Sequence, residues 1–158
     1  MRSGICIMAP SRAGFLSSAI GGTVIAHLYA LIERWMDWAE VARFFSALPT
    51  WHDVSAYHHI FMVAFFSTVS AMPLAEALLG QRTARLRALA FLVGNVAMMA
   101  LLEDMAYFYL FGEAPSPSSW TSNIIGYVPF GPLTIPSWYF PTLAIALISY
   151  YLALRRGP

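Results

Sequence analysis

Long apolar stretches, separated by short polar segments, dominate the pattern of hydrophobic and polar positions along the chain. A helix that crosses a bilayer needs about 20 mostly apolar residues. Four stretches meet this requirement, at residues 13–38, 55–79, 86–111 and 137–154. Backbone polar groups cannot face lipid unpaired, so stretches of this length form helices. The pattern therefore predicts an all-α fold, a four-helix transmembrane bundle that forms a single transmembrane domain over residues 1–158.

The basic residues, all of them arginines, lie asymmetrically about these spans. In membrane proteins, basic residues are enriched in cytoplasmic loops. Most of the nine basic residues fall on one side of a four-span bundle, and only two fall on the other. The first side carries Arg2, Arg12, Arg82, Arg85, Arg87, Arg155 and Arg156, and the second carries Arg34 and Arg43. We therefore expect both termini to be cytoplasmic (N-in, C-in).

Composition supports a membrane protein and excludes several other classes. Hydrophobic residues make up 59% of the chain and charged residues 11%, whereas soluble domains contain roughly 25% charged residues. The mean hydropathy is +0.62 and the net charge is +1. These values exclude a disordered chain and give no basic surface for nucleic acid. The single Cys6 cannot form an internal disulfide.

The first span carries a small residue at every fourth position, and the second carries an internal proline. The small residues are Gly14, Ser18, Gly22, Ala26 and Ala30. They form one smooth helix face, which allows a neighbouring helix to approach closely. Packing inside the chain is the favoured interpretation, and homodimerisation is the alternative. Pro73 should kink the second span or end its first part.

Acidic and histidine side chains collect at the exterior end of this bundle. Seven of the eight acids lie there: Glu33, Asp37, Glu40, Asp53, Glu103, Asp104 and Glu113. His52, His58 and His59 lie at the same end, and His27 lies near the middle of the first span. Ionisable groups in a membrane are costly, and they usually face the bundle interior as partners or ligands. The expected orientation depends on the arginines alone, so the collection of acids and histidines at one end is an independent observation.

Imidazole and carboxylate groups together suit a transition metal. The sequence therefore predicts a divalent metal site (zinc, iron or copper) with ligands from His58, His59, Glu33, Glu103 and Asp104. In an enzyme, Glu103 or Glu33 would be the catalytic base. Adjacent helix positions are about 100° apart, so we expect one of Glu103 and Asp104 to point fully inward.

Two other interpretations of the same residues remain open. The groups could bind a polar headgroup or relay protons, a role to which histidine is suited. Alternatively, Glu33, Arg34, Asp37 and Arg43 could form interfacial ion pairs that serve only the structure. His27 is a further relay candidate, although a lone histidine in a span often only hydrogen-bonds a neighbouring helix.

The segment at residues 114–136 carries no charge and contains five prolines, which exclude a regular helix through it. Trp138, Tyr139 and Phe140 follow and resemble an interfacial aromatic belt. We expect this segment to fold down onto the exterior mouth of the bundle, either as a headgroup anchor or as a lid over a site.

A short motif, Leu102-Glu103-Asp104 followed by aromatic residues and later by Trp138-Tyr139, resembles that of small prokaryotic multi-span membrane proteins. Members of this group are uncharacterised, so the resemblance implies a multi-span fold in a prokaryotic cytoplasmic membrane and no activity. It draws attention to Glu103 and Asp104.

Together these features predict a small polytopic membrane protein with a carboxylate and histidine site at the exterior end of the bundle. The site would bind a divalent metal and act on a lipid or a small membrane-soluble substrate. The alternatives are a non-catalytic accessory subunit of a larger membrane complex and a small transporter. The expected partners are the lipid bilayer and either a second copy of the chain or a complex partner, with no nucleic acid.

Overall fold

A computed structural model of the protein describes residues 12–36, 50–51 and 54–155, with side chains described for 12–36 and 59–155. Within these ranges the chain is mostly helical. The helices are α1 (Arg12–Trp35), α2 (Ala56–Ala71), α3 (Ala75–Leu78), α4 (Arg82–Tyr109), α5 (Trp120–Asn123) and α6 (Tyr139–Leu154). The strands are β1 (Thr50–Trp51), β2 (Val54–Ser55), β3 (Tyr127–Phe130) and β4 (Leu133–Pro136).

Three helical segments are long and apolar enough to cross a membrane, which is compatible with a membrane protein. They are Arg12–Trp35, His59–Leu78 and Arg82–Tyr109. The stretch expected to form the fourth span gives α6, which is apolar but has only 16 residues. At 1.5 Å per residue α6 is about 24 Å long, slightly less than the thickness of a hydrocarbon core.

The second of these segments changes its helical geometry at the internal proline. Helix α2 ends at Ala71, a 3-10 turn covers Met72–Leu74, and α3 follows from Ala75. Pro73 lies in the first turn of the 3-10 segment. Proline lacks a backbone N–H and its ring clashes with the preceding helical turn. The expected break at Pro73 is confirmed.

Helix α4 lies at the centre of the bundle and contacts α1, α2 and α6. Its backbone comes especially close to α6 at Gly94. A Cβ atom at Gly94 would lie 3.0 Å from the Ser149 Cβ and 3.1 Å from the Ala146 carbonyl oxygen. The absence of a side chain at position 94 therefore permits the close contact between α4 and α6.

The small-residue face of α1 is used inside the chain. Ser18, Gly22, Ala26 and Ala30 are buried, and the large side chains that alternate with them are exposed. The exposed set includes Leu16, Ile20, Val24 and Leu28. This agrees with the interpretation of the face as a packing surface within the chain.

A buried amide in the middle of α4 connects all the long helices. Asn95 Nδ2 donates to the Ser18 carbonyl oxygen of α1 at 3.0 Å and to Ser70 Oγ of α2 at 2.7 Å. Asn95 Oδ1 accepts a hydrogen bond from the Tyr150 hydroxyl of α6 at 3.1 Å. Ser18 Oγ also donates to the Ser70 carbonyl oxygen at 3.0 Å. One side chain therefore fixes the depth of the four segments relative to one another.

The two ends of the bundle differ in charge. At the end called here the acid end, Glu33 of α1 contacts Glu103 of α4, and Tyr139 of α6 contacts Asp104. At the opposite end, Arg87 Nε donates to the Ala153 carbonyl oxygen of α6 at 2.7 Å. Helices α1 and α4 therefore run in the same direction, and α6 runs antiparallel to them.

The proline-rich segment between α4 and α6 has a regular part. Helix α5 is followed by an antiparallel hairpin of β3 and β4, in which Phe130 pairs with Leu133. The two-residue turn between them contains Gly131 at φ 59°, a conformation that favours glycine. Contacts of Thr121 and Trp138 hold the segment against the acid end.

Adjacent glycines of α1 provide a test of the central packing. A Cβ at Gly22 would lie 2.8 Å from Asn95 Nδ2 and 3.0 Å from Met99 Sδ, whereas a Cβ at Gly21 would meet no atom within 4 Å. We expect Gly22→Ala to lower the free energy of unfolding by about 1–3 kcal/mol because the core is overpacked. Gly21→Ala should be neutral or stabilise the helix by about 0.5–1 kcal/mol. Denaturant unfolding in detergent measures both, and equal stabilities of the two variants would contradict the packing described.

Candidate functional site

Two adjacent acids near the end of α4 are both buried. Glu103 is 3% exposed and Asp104 is 1% exposed. Their positions differ by about 100° around the helix, so a bundle of helices alone would cover only one of them. Both acids are nevertheless buried, because the segment around α5 and the start of α6 covers the second side of α4.

Asp104 connects three elements through one of its oxygens. Its Oδ2 accepts a hydrogen bond from Thr121 Oγ1 of α5 at 3.0 Å and a short one from the Tyr139 hydroxyl of α6. The Trp138 indole Nε1 donates to Thr121 Oγ1 at 2.8 Å. Hydrogen bonds to a carboxylate are among the stronger kinds in proteins. Asp104 therefore anchors the proline-rich segment to the bundle.

Glu103 contacts a second carboxyl group. Its side chain makes a hydrogen bond with that of Glu33 on α1. The contact connects α1 to α4 at the acid end.

Glu103 and Asp104 line one cavity, called here the acid cavity, of about 200 Å³. His59 at the start of the second segment lines it too, as do the indoles of Trp120 and Trp138. Glu103 Oε1 and Asp104 Oδ1 are buried and have no hydrogen-bond partner within the described part of the chain. An unpartnered buried acceptor is costly, and both of these acceptors belong to residues that line the acid cavity.

The structure brings together most of the predicted site residues. Glu103, Asp104 and His59 line the acid cavity, and Glu33 contacts Glu103. The side chain of His58, like residues 37–49, lies outside the described residues. Among the side chains that the structure describes, no group of three or more His, Cys, Asp or Glu is arranged to hold a metal ion.

The other ionisable groups near the acid end make separate contacts. Arg34 forms a two-pronged ion pair with Glu113, with nitrogen–oxygen distances of 2.6 and 3.3 Å. Its guanidinium lies 4.9 Å from the Phe111 ring centroid and 5.3 Å from that of Tyr107. Arg34 therefore forms an ion pair with Glu113, 79 positions along the chain, which is outside the set of ion pairs expected from the sequence. Asp37 and Arg43 of that set lie outside the described residues.

His27 contacts its own helix and one ring of α4. Its Nδ1 lies 2.7 Å from the Thr23 carbonyl oxygen on the same helix, and its ring meets Tyr109 edge-on. Both contacts suit a histidine that is satisfied locally.

Sequence reasoning missed two indoles that line the acid cavity, Trp120 and Trp138, and two side chains that donate to Asp104, Thr121 and Tyr139. Thr121 and Trp120 were included only in a proline-rich segment, and Trp138 and Tyr139 were interpreted as an aromatic belt. The usable signal was the lack of charge over residues 114–136 together with indole and hydroxyl groups. Such a segment is suited to cover a buried polar site.

Two tyrosines provide a matched test of the anchor at Asp104. Tyr139→Phe removes one donor to Asp104, and Tyr127→Phe changes an exposed tyrosine of β3. We expect Tyr139→Phe to lower the free energy of unfolding by about 1–2 kcal/mol and to speed amide hydrogen exchange at residues 116–138. Tyr127→Phe should leave both unchanged. Unaltered exchange at residues 116–138 in Tyr139→Phe would show that Asp104 does not anchor the segment.

Comparison with known proteins identifies no relative. No protein-family model matches the chain, and the searches of curated proteins and of solved structures found no match. The function must therefore be inferred from the chemistry of the acid cavity.

Proposed function

We propose that the chain is a four-span membrane protein that binds a cation in the acid cavity at its exterior end. The observation that carries the proposal is the pair of buried, unpartnered oxygens, Glu103 Oε1 and Asp104 Oδ1, on two residues that line one cavity. A buried carboxylate oxygen without a hydrogen-bond partner is unfavourable, and a bound cation offsets that penalty.

The course of α6 supports a fourth span. Tyr139 at its start contacts Asp104, Tyr150 contacts Asn95, and Ala153 near its end contacts Arg87. These partners on α4 are separated by 17 positions, or about 25 Å along a helix. Helix α6 therefore accompanies α4 over nearly the depth of a hydrocarbon core.

The arrangement of the arginines supports the N-in, C-in orientation. Helices α1 and α4 begin, and α6 ends, at the same end of the bundle. Five of the described arginines lie there, namely Arg12, Arg82, Arg85, Arg87 and Arg155. Because basic residues favour the cytoplasmic side, the acid end faces the exterior.

A divalent metal ion is the cation that the sequence predicts. Its ligands would come from His59, Glu103 and Asp104 in the cavity, with Glu33 beside them. Imidazole and carboxylate together suit zinc, iron or copper. The catalytic role of Glu103 or Glu33 on a lipid or membrane-soluble substrate stays a prediction. An accessory subunit could use a small-residue face to dock onto its complex. In this chain that face is already buried by the chain's own helices, which weakens the accessory-subunit alternative.

Cation binding can be tested on the purified chain in detergent. We expect Zn²⁺ to bind the unmodified chain in a calorimetric titration, and Glu103→Gln to weaken binding at least tenfold because it removes an anionic ligand. The matched control is Glu76→Gln, which changes an exposed acid on α3. A Glu103→Gln variant with the same folding temperature and unchanged affinity would refute a metal site in this cavity.

The orientation has its own test. A reporter that is active only in the cytoplasm should be active when fused after Pro158, and inactive when inserted after Gly112 at the acid end. The reason is the arginine bias of the two bundle ends. The opposite result would reverse the orientation, and activity at both positions would remove α6 as a span.

A further inference from the structure

The walls of the acid cavity are mostly apolar and aromatic. Besides its acids and His59, it is lined by Met62, Ala100, Ile124 and the two indoles. A site for a small organic ligand typically combines such walls with a few polar groups that fix the ligand's orientation. The acid cavity has this composition, and its volume exceeds the space that a bare ion fills.

Each of the two acids of the cavity keeps one oxygen that accepts no hydrogen bond within the described part of the chain. Glu103 Oε1 and Asp104 Oδ1 are unpartnered acceptors on side chains that are 3% and 1% exposed. A primary ammonium group carries three N–H donors and one positive charge. It can therefore donate to carboxylate oxygens and neutralise their charge, whereas a quaternary ammonium has no N–H group to donate.

The indoles add a second attraction for the same kind of ligand. Organic cations are attracted to aromatic faces, most strongly to that of tryptophan. Trp138 is held by its bond to Thr121, and Trp120 begins α5 beside it. Two indoles next to two carboxyl groups therefore match a ligand that has a cationic head and an apolar body.

A second cavity, of about 400 Å³, provides a contrast. It lies between the end of α4 and the hairpin, and its acid is Glu113. That acid already forms the ion pair with Arg34. A cation at Glu113 would have to displace a guanidinium, whereas each acid of the acid cavity keeps one oxygen without a partner in the described part of the chain.

We infer that the acid cavity binds a protonated primary amine with a small apolar body, its ammonium group between Glu103 and Asp104. This inference rests on the proposed function, because it assigns a chemical class to the cation of that site. Such amines are small and membrane-soluble in their neutral form, so they can reach a cavity at the end of a membrane bundle.

Calorimetric titration of the full chain in detergent with cyclohexylammonium tests the inference. Cyclohexanol has the same shape without the charge and serves as the matched ligand. We expect cyclohexylammonium to bind at least tenfold more tightly than cyclohexanol. Glu103→Gln should remove at least tenfold of that affinity, whereas Glu76→Gln should not change it.

Replacing an indole gives a test that leaves the acids intact. Trp120→Leu should weaken cyclohexylammonium binding several-fold, because it removes an aromatic wall. Trp35→Leu, at a tryptophan that is 83% exposed on α1, is the matched control. This pair decides the question even where Glu103→Gln fails to fold.

The outcomes separate the two proposals. Zn²⁺ binding that depends on Glu103, without binding of cyclohexylammonium, would overturn the amine inference and leave the cation site standing. Equal affinities for cyclohexylammonium and cyclohexanol would also overturn it. Failure of the folded chain to bind either cation would overturn both proposals, and tight binding of the amine that depends on Glu103 and Trp120 would support both.

Discussion

The hydrogen bonds of Asn95 are the interaction on which the rest of the structure depends. Inside a bilayer the hydrophobic effect does not drive helices together, so close packing and buried polar contacts decide how they associate. Asn95 reaches Ser18, Ser70 and Tyr150 on the three segments around α4. Sliding any of these segments by one turn would leave a buried amide unsatisfied. The height of each helix is thereby fixed, and Glu33 and Glu103 meet at the acid end as a consequence.

The acid cavity follows from how its two carboxyl groups are used. In Asp104, Oδ2 holds the covering segment through Thr121 and Tyr139, and Oδ1 is left without a partner. Glu103 contacts Glu33 and also keeps one unpartnered oxygen. Each acid therefore has a structural contact that positions it and a remaining acceptor in the cavity. Fixed acceptors of this kind need little rearrangement to bind a donor, which favours binding over a flexible surface acid.

The sequence predicts the features that depend on helix periodicity and on local chemistry. The small-residue face of α1, the break at Pro73 and the position of Glu33 and Glu103 near the ends of their helices all follow from spacing along single helices. Periodicity gives the face of a helix but not the segment that covers it. The burial of Asp104 depends on Thr121 and Tyr139, which are 17 and 35 positions away, and the contact of Arg34 with Glu113 spans 79 positions. Only the folded chain brings such pairs together.

Asp104 also couples the cavity to its cover. A ligand that contacts Oδ1 withdraws charge from the same carboxylate that accepts hydrogen bonds from Thr121 and Tyr139 through Oδ2. The two equilibria are linked. If a bound ligand weakens these hydrogen bonds by some factor, then loss of the hydrogen bonds changes the ligand affinity by the same factor. In the proposed site, the stability of the proline-rich segment over the acid cavity therefore depends on ligand binding, and ligand binding depends on that segment. A ligand bound at Glu103 alone would lack this coupling, because the contact of Glu103 is with α1 and not with the covering segment.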